Sequence, residues 1–154
     1  MNKKVREIMT TEVVTVAAGT PLSSALEVFA DRVIGGIPVV DENRHVVGMV
    51  TKKSLLHMFM PEYLELIEDF SFVDDFGLLE TEPLEDFADA LFLVVDVMER
   101  EFHTISPESS LLKAAVVMDR KDCSVLPVAG DDHVLQGIVT RTDIFRALFG
   151  TRQD

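Results

Sequence analysis

Thr140 and Asp143 stand three residues apart where a β-branched run gives way to a helical pattern, and their types and spacing could do chemistry. At such a junction the threonine hydroxyl and the unsatisfied N–H groups of the first helical turn face one region, which suits a phosphate. A carboxylate one turn in offers two acceptor oxygens to vicinal hydroxyls, which a ribose has and a deoxyribose lacks. Arg141 adds a cation at the same helix start. The Thr-x-x-acid spacing also makes a reciprocal helix cap, hydroxyl to backbone N–H and carboxylate back to the cap, and spacing alone favours that structural use. Both uses can alternate, because a carboxylate that caps an empty site can release to hold a sugar.

Other chemistries find less support. His45, His57, His103 and His133 show no metal-ligand spacing, and no cysteine or carboxylate joins them as a zinc or facial-triad set, so no metal site is expected. Cys123 has Arg120 and Lys121 nearby but no histidine beside it to activate a nucleophile, and reads as a buried or half-buried structural thiol. Phosphate-binding loops, dinucleotide fingerprints and Gly-x-Ser-x-Gly runs are missing. The chain therefore reads as non-enzymatic.

The elements that position Thr140 and Asp143 occur twice. Val5 to Met60 realigns without a gap on Val94 to Phe149 at an offset of 89, so that Met9 falls on Met98, Pro38 on Pro127, Gly48 on Gly137 and Thr51 on Thr140. Apolar positions match apolar positions almost throughout, which marks one supersecondary unit used twice and invites pseudo-twofold packing with a cleft between the copies. In the first copy Val13–Val16 is β-branched and short, a strand. Thr20-Pro21 supplies an N-cap and a helix-starting proline, and Leu22, Ala25, Leu26 and Phe29 form a buried helical stripe ending near Gly35-Gly36. Ile37–Val40 and Val46–Val50 then read as a hairpin, with a second helix from Lys52 to about Phe59. The second copy repeats the order: a strand Phe102–Ile105, a helix from about Ser110 to Lys121, strands Val125–Ala129 and Val134–Val139, and a helix Arg141–Phe149. The fold class is α+β: two β-α-β-β-α repeats over residues 1–60 and 94–154, packed as one module, with an insert at 61–93.

That insert carries eleven Asp and Glu and no Lys or Arg. Tyr63, Leu64, Ile67 and Phe70 share one helical face and Leu84, Phe87, Ala88, Leu91 and Phe92 another, so a solvated helical linker is expected, with an acidic contact surface or lid as the alternative.

The order of elements, the proline in the second strand and the Gly-apolar-Val-Thr run entering the last helix resemble the cystathionine-β-synthase (CBS) domain. The resemblance rests on Gly36-Ile37-Pro38-Val39-Val40-Asp41 with Gly48-Met49-Val50-Thr51, and on Leu126-Pro127-Val128 with Gly137-Ile138-Val139-Thr140-Arg141-Thr142-Asp143. It implies a tandem, non-catalytic regulatory module binding an adenine nucleotide or related adenosyl compound as ligand, with no required cofactor and Mg2+ as an optional companion of the phosphates. It also shifts the reading of Thr140 and Asp143 from cap to ligand. The implied site combines Ile138, Thr140, Arg141, Thr142 and Asp143 with Val13, Val14, Gly35, Gly36, Ile37 and Pro38. A second, weaker cleft would use Met49, Thr51, Lys53 and Ser54 with Phe102, His103, Val125 and Leu126. Ser54 stands where the pattern has aspartate, so that cleft loses a charged ribose acceptor. The alternative function is a structural dimerisation module with vestigial clefts.

Charge and composition bound the partners. A net charge of -13 argues against nucleic acid, which is gripped by clustered Lys and Arg. With no run near the 18 apolar residues of a membrane span and a single cysteine, neither insertion nor a disulfide scaffold is expected, and the cytoplasm is the default. The last helix of each repeat, around Leu55, Leu56, Met58 and Phe59 and around Ile144, Phe145, Leu148 and Phe149, is apolar beyond what a small module covers. A homodimer through these helices is expected, with an effector protein of unknown identity.

Overall fold

The computed structural model describes residues 2–59 and 92–150; the insert, with both of its apolar faces up to Leu91, lies outside the described residues. Each repeat is built on an antiparallel hairpin. β1 (Gly36–Val40) pairs with β2 (Val46–Thr51), and β3 (Val125–Ala129) with β4 (Leu135–Thr140), each with a bulge after the fourth residue of its first strand. In the first hairpin's turn the Asp41 carboxylate accepts from the N–H groups of Asn43 and His45, both at 2.9 Å. Arg44 and its counterpart His133 take up the left-handed conformation at φ 64° and 60°.

The expected first strands contract to one residue each. Val16 donates to the Pro38 carbonyl and accepts from the Val40 N–H, a single parallel bridge across Val39, and Ile105 does the same around Val128. Extending the ladder one step towards Val14 would require an N–H from Pro38, and towards His103 one from Pro127. Proline has none to give. Val13 and Val14 therefore remain outside the sheet, half-buried, with their side chains available to a cavity wall.

The helices follow their apolar stripes. α1 (Leu22–Asp31) buries Leu22 and Ala25 and packs Leu26 and Phe29 against the same core. Pro21 rather than Thr20 occupies its N-cap, with no side-chain cap: the Thr20 carbonyl instead accepts the N–H of Val94. The helix ends at Asp31, where Arg32 turns extended, ahead of the Gly35-Gly36 pair expected to stop it. α2 (Lys52–Phe59) follows β2 directly. The short helix α3 (Val94–Val97) precedes α4 (Leu111–Arg120), whose Ser110 cap accepts from the Lys113 N–H, and α5 (Arg141–Phe149) closes the second repeat.

The repeats exchange their leading segments. A 3-10 turn at Val5–Glu7 inserts Val5, fully buried, into the core of the second repeat with Met118, Leu126, Val128 and Val139. Its counterpart α3 inserts Val94 into the core of the first repeat with Leu22, Val39 and Val50. Backbone bonds repeat the exchange: Thr10 and Ile138 bond reciprocally at 2.9 Å, and Met49 and Glu99 at 3.0 and 2.7 Å. The repeated Met and Gly pairs are explained crosswise. A Cβ on Gly137 would lie 2.7 Å from Met9 Sδ, and one on Gly48 the same distance from Met98 Sδ. His45 bridges Val134, its own repeat counterpart, so the pseudo-twofold axis passes between the two hairpin turns.

Candidate functional site

Two clefts flank the line where the repeats meet. The larger, about 710 Å³ and open to solvent, is walled by Val13, Val14, Gly35 and Gly36 of the first repeat and by Ile138, Thr140, Arg141, Thr142 and Asp143 of the second. Nine of the residues expected at the main site thus line one cavity. Ile37 and Pro38 do not: both are fully buried on β1, outside the cavity lining, and their placement in the site is corrected. The glycine pair serves packing as well as any ligand, since a Cβ on Gly35 would come within 2.9 Å of Val125 Cγ2 on the wall between the clefts.

At the head of α5 the reciprocal cap is formed. Thr140 Oγ1 accepts from the Asp143 N–H at 3.1 Å, and Asp143 Oδ2 accepts from the Thr140 N–H at 2.9 Å. Oδ1 has no hydrogen bond among the described residues. Arg141 is partly committed elsewhere: Nε donates to the Cys123 carbonyl and Nη2 to the Met118 carbonyl, each at 3.1 Å, where the C-terminal end of α4 concentrates negative potential.

Sequence reasoning overlooked the other charges here. Arg32, Lys52 and Arg146 also line the cavity, with Glu12, so four cations face two carboxylates in a chain of net charge -13. None of the three makes an ion pair among the described residues. A signal was present in the repeat alignment, where Arg32 matches Lys121, Lys52 matches Arg141 and Arg146 matches His57, a basic residue facing a basic one each time. Thr10, Val33, Ile34, Ser124 and Val125 complete the wall.

The second cleft is about 170 Å³ and has a different character. Met49, Thr51, Lys53, Phe102, His103, Val125 and Leu126 line it, together with Glu99, Glu101 and Asp122. Ser54 does not line it, which corrects its placement. Its hydroxyl donates to the Thr51 carbonyl and accepts the Thr51 N–H, both at 2.9 Å, reproducing the Asp143 cap without a carboxylate. Thr51 Oγ1 in turn points at half-buried Glu99 (3.4 Å), and Lys53 pairs with Asp122 (3.2 Å). Cys123 also lines this cleft, and burial pushes its thiol up, opposed by the nearby Arg141.

The outer helices divide their apolar residues. Leu55 and Ile144 are buried in the cores, correcting their assignment to an external face, and Met58 packs on the first core. Leu56, Phe145, Leu148 and Phe149 are exposed, with Phe145 at 64% and Phe149 at 70%, their rings 5.1 Å apart. The side chain of Phe59 is outside the described residues. Among the described residues no three His, Cys, Asp or Glu converge as a metal site, and no helix is long and apolar enough to cross a membrane.

The CBS domain family model matches residues 5–60 and 94–150. The chain is 30% identical over 155 aligned positions to the uncharacterized protein MJ1426 of Methanocaldococcus jannaschii, covering 94% of this chain and 90% of that one. It is 28% identical to part of the A-adding tRNA nucleotidyltransferase of Aquifex aeolicus, and there 94% of this chain spans 14% of the enzyme. Among solved structures, CBSX2 of Arabidopsis thaliana in complex with AMP superposes with a TM-score of 0.70 at 26% identity, over 94% of this chain and 95% of that one.

Proposed function

The chain belongs to the CBS domain family as a tandem pair, and from that premise we propose that its larger cleft binds an adenosyl ligand and that the protein is a non-catalytic regulator, an energy or metabolite sensor. One observation carries the reading: apolar walls, a carboxylate with a spare oxygen and unpaired cations converge on one cavity, which is what base, ribose and phosphate respectively require. The complex of CBSX2 with AMP supports it by analogy. The ligand would lie with its base between the Val13-Val14 segment and Ile138, its ribose hydroxyls on Asp143 and its phosphate towards the starts of α2 and α5. The cap at Asp143 gives the empty state a partner for that carboxylate, so binding exchanges one set of bonds for another rather than filling a void.

Calorimetric titration with AMP, ADP and ATP tests the reading. A single strong phase per chain is expected, abolished by Asp143→Ala and weak for 2'-deoxy ligands. A flat titration against all three, repeated with Mg2+, would leave a structural dimerisation module as the better account. The exposed Phe145, Leu148 and Phe149 favour self-association alongside the sensor reading, two modules packing through their outer helices.

A further inference from the structure

We propose that the larger cleft selects among adenosyl ligands by phosphate charge, with Lys52 and Arg146 as the reading residues, and that Glu99 bars the same ligands from the smaller cleft. This rests on the adenosyl reading above and adds to it a class: phosphorylated nucleotides, in preference to uncharged or sulfonium-bearing nucleosides.

The pseudo-twofold supplies the control. Both clefts are made from equivalent segments, so a difference in their charge comes from individual side chains rather than from architecture. In the larger cleft, Thr10 lies on the wall; at the equivalent place in the smaller one is Glu99, half-buried and receiving the Thr51 hydroxyl. In the larger cleft Val33 is apolar, whereas its counterpart Asp122 ties up Lys53. The result is four cations against two carboxylates on one side and three carboxylates against two lysines on the other. A phosphate entering the larger cleft meets cations with no competing ion pair among the described residues. One entering the smaller would have to displace Lys53 from Asp122 while approaching Glu99, and like charges at such range repel.

Arg141 is held by two carbonyls and contributes field more than direct contact. Lys52, at the head of α2, and Arg146, one turn further along α5 than Asp143, reach the cavity from opposite repeats and can close on a phosphate chain from both sides.

The test compares ATP, AMP and 5'-methylthioadenosine by calorimetry on the full chain, in wild type, Lys52→Glu and Arg146→Glu. Expected is ATP tighter than AMP and AMP tighter than methylthioadenosine, with the spread shrinking as salt is raised. Each reversal should weaken ATP by about tenfold or more, the scale of a lost charge-assisted contact, and leave methylthioadenosine unchanged. Glu99→Thr should raise nucleotide binding from one towards two per chain. Methylthioadenosine binding as tightly as ATP, or reversals that weaken all three ligands alike, would overturn the charge selection while leaving the adenosyl reading intact. Failure of all three to bind would overturn both. A Glu99→Thr variant that still binds one nucleotide with unaltered weak affinity elsewhere would overturn the role given to Glu99.

Discussion

Asp143 holds two positions at once, helix cap and cavity wall, and the repeat provides the means to separate them. Ser54 makes the same cap with a hydroxyl. Asp143→Ser should therefore keep the cap, holding stability within a few tenths of a kcal/mol in urea titration, while Asp143→Ala should cost about 1 kcal/mol. Both should lose ribonucleotide affinity by about tenfold to a hundredfold, the scale of a charged hydrogen bond. If Asp143→Ser bound as tightly as wild type, the carboxylate would be a cap and nothing more. At Cys123, burial raises the thiol above its ordinary value of 9.0. The folded state then holds its proton more tightly than the unfolded chain, so the stabilisation is complete below pH 9.0 and is lost as the pH rises through the higher folded value. Alkylation of the folded protein by iodoacetamide should accordingly be slow at neutral pH and accelerate only in the alkaline range. The Thr140 and Asp143 pair was legible in sequence because its members are adjacent in the chain. Arg32, Lys52 and Arg146 were not, since three separate elements bring them together and an isolated basic residue reads as a solvated one.

Among the elements, helices α2 and α5 and both hairpins fall where periodicity and β-branching place them, because each is decided by local pattern. The leading strands are the exception: Val13–Val16 has every strand preference, yet Pro38 lacks the N–H that a second parallel bridge requires. That is a property of the neighbour and invisible in the segment itself. The exchange of leading segments was likewise hidden, although its cause was in view as the repeated Met9/Met98 and Gly48/Gly137 positions. Gly137→Ala should destabilise by about 1–3 kcal/mol, since its Cβ would meet both a sulfur and the Thr10 carbonyl at 2.9 Å. Gly19→Ala, with nothing within 4 Å, should fall within about 0.5 kcal/mol of wild type. Chemical denaturation of the pair measures the difference, and equal midpoints would contradict the close packing of the exchanged segment.

On the scale of the whole molecule, Phe145, Leu148 and Phe149 on α5 are exposed next to Ala115 and Asp119 of α4, a helix that also exposes Leu112 and Val116. A second module laid across them would bury the aromatic pair. Phe145→Asp together with Phe149→Asp should convert a dimer into a monomer in sedimentation at tens of micromolar, about the range in which such contacts hold, with the thermal transition of the module little changed; a wild-type monomer under those conditions would remove the dimer. The exchange of leading segments reaches further than packing. Among the described residues, backbone bonds and two shared cores join the halves, and none of these contacts depends on peptide continuity between them. Two polypeptides made separately, one ending at 59 and the other starting at 92, carry all of these contacts between the described residues. Each lacks the valine that completes its own interior and holds the one its partner needs. Such fragments should be poorly folded alone and reconstitute on mixing, so that the two repeats are, in effect, a split pair joined in one chain.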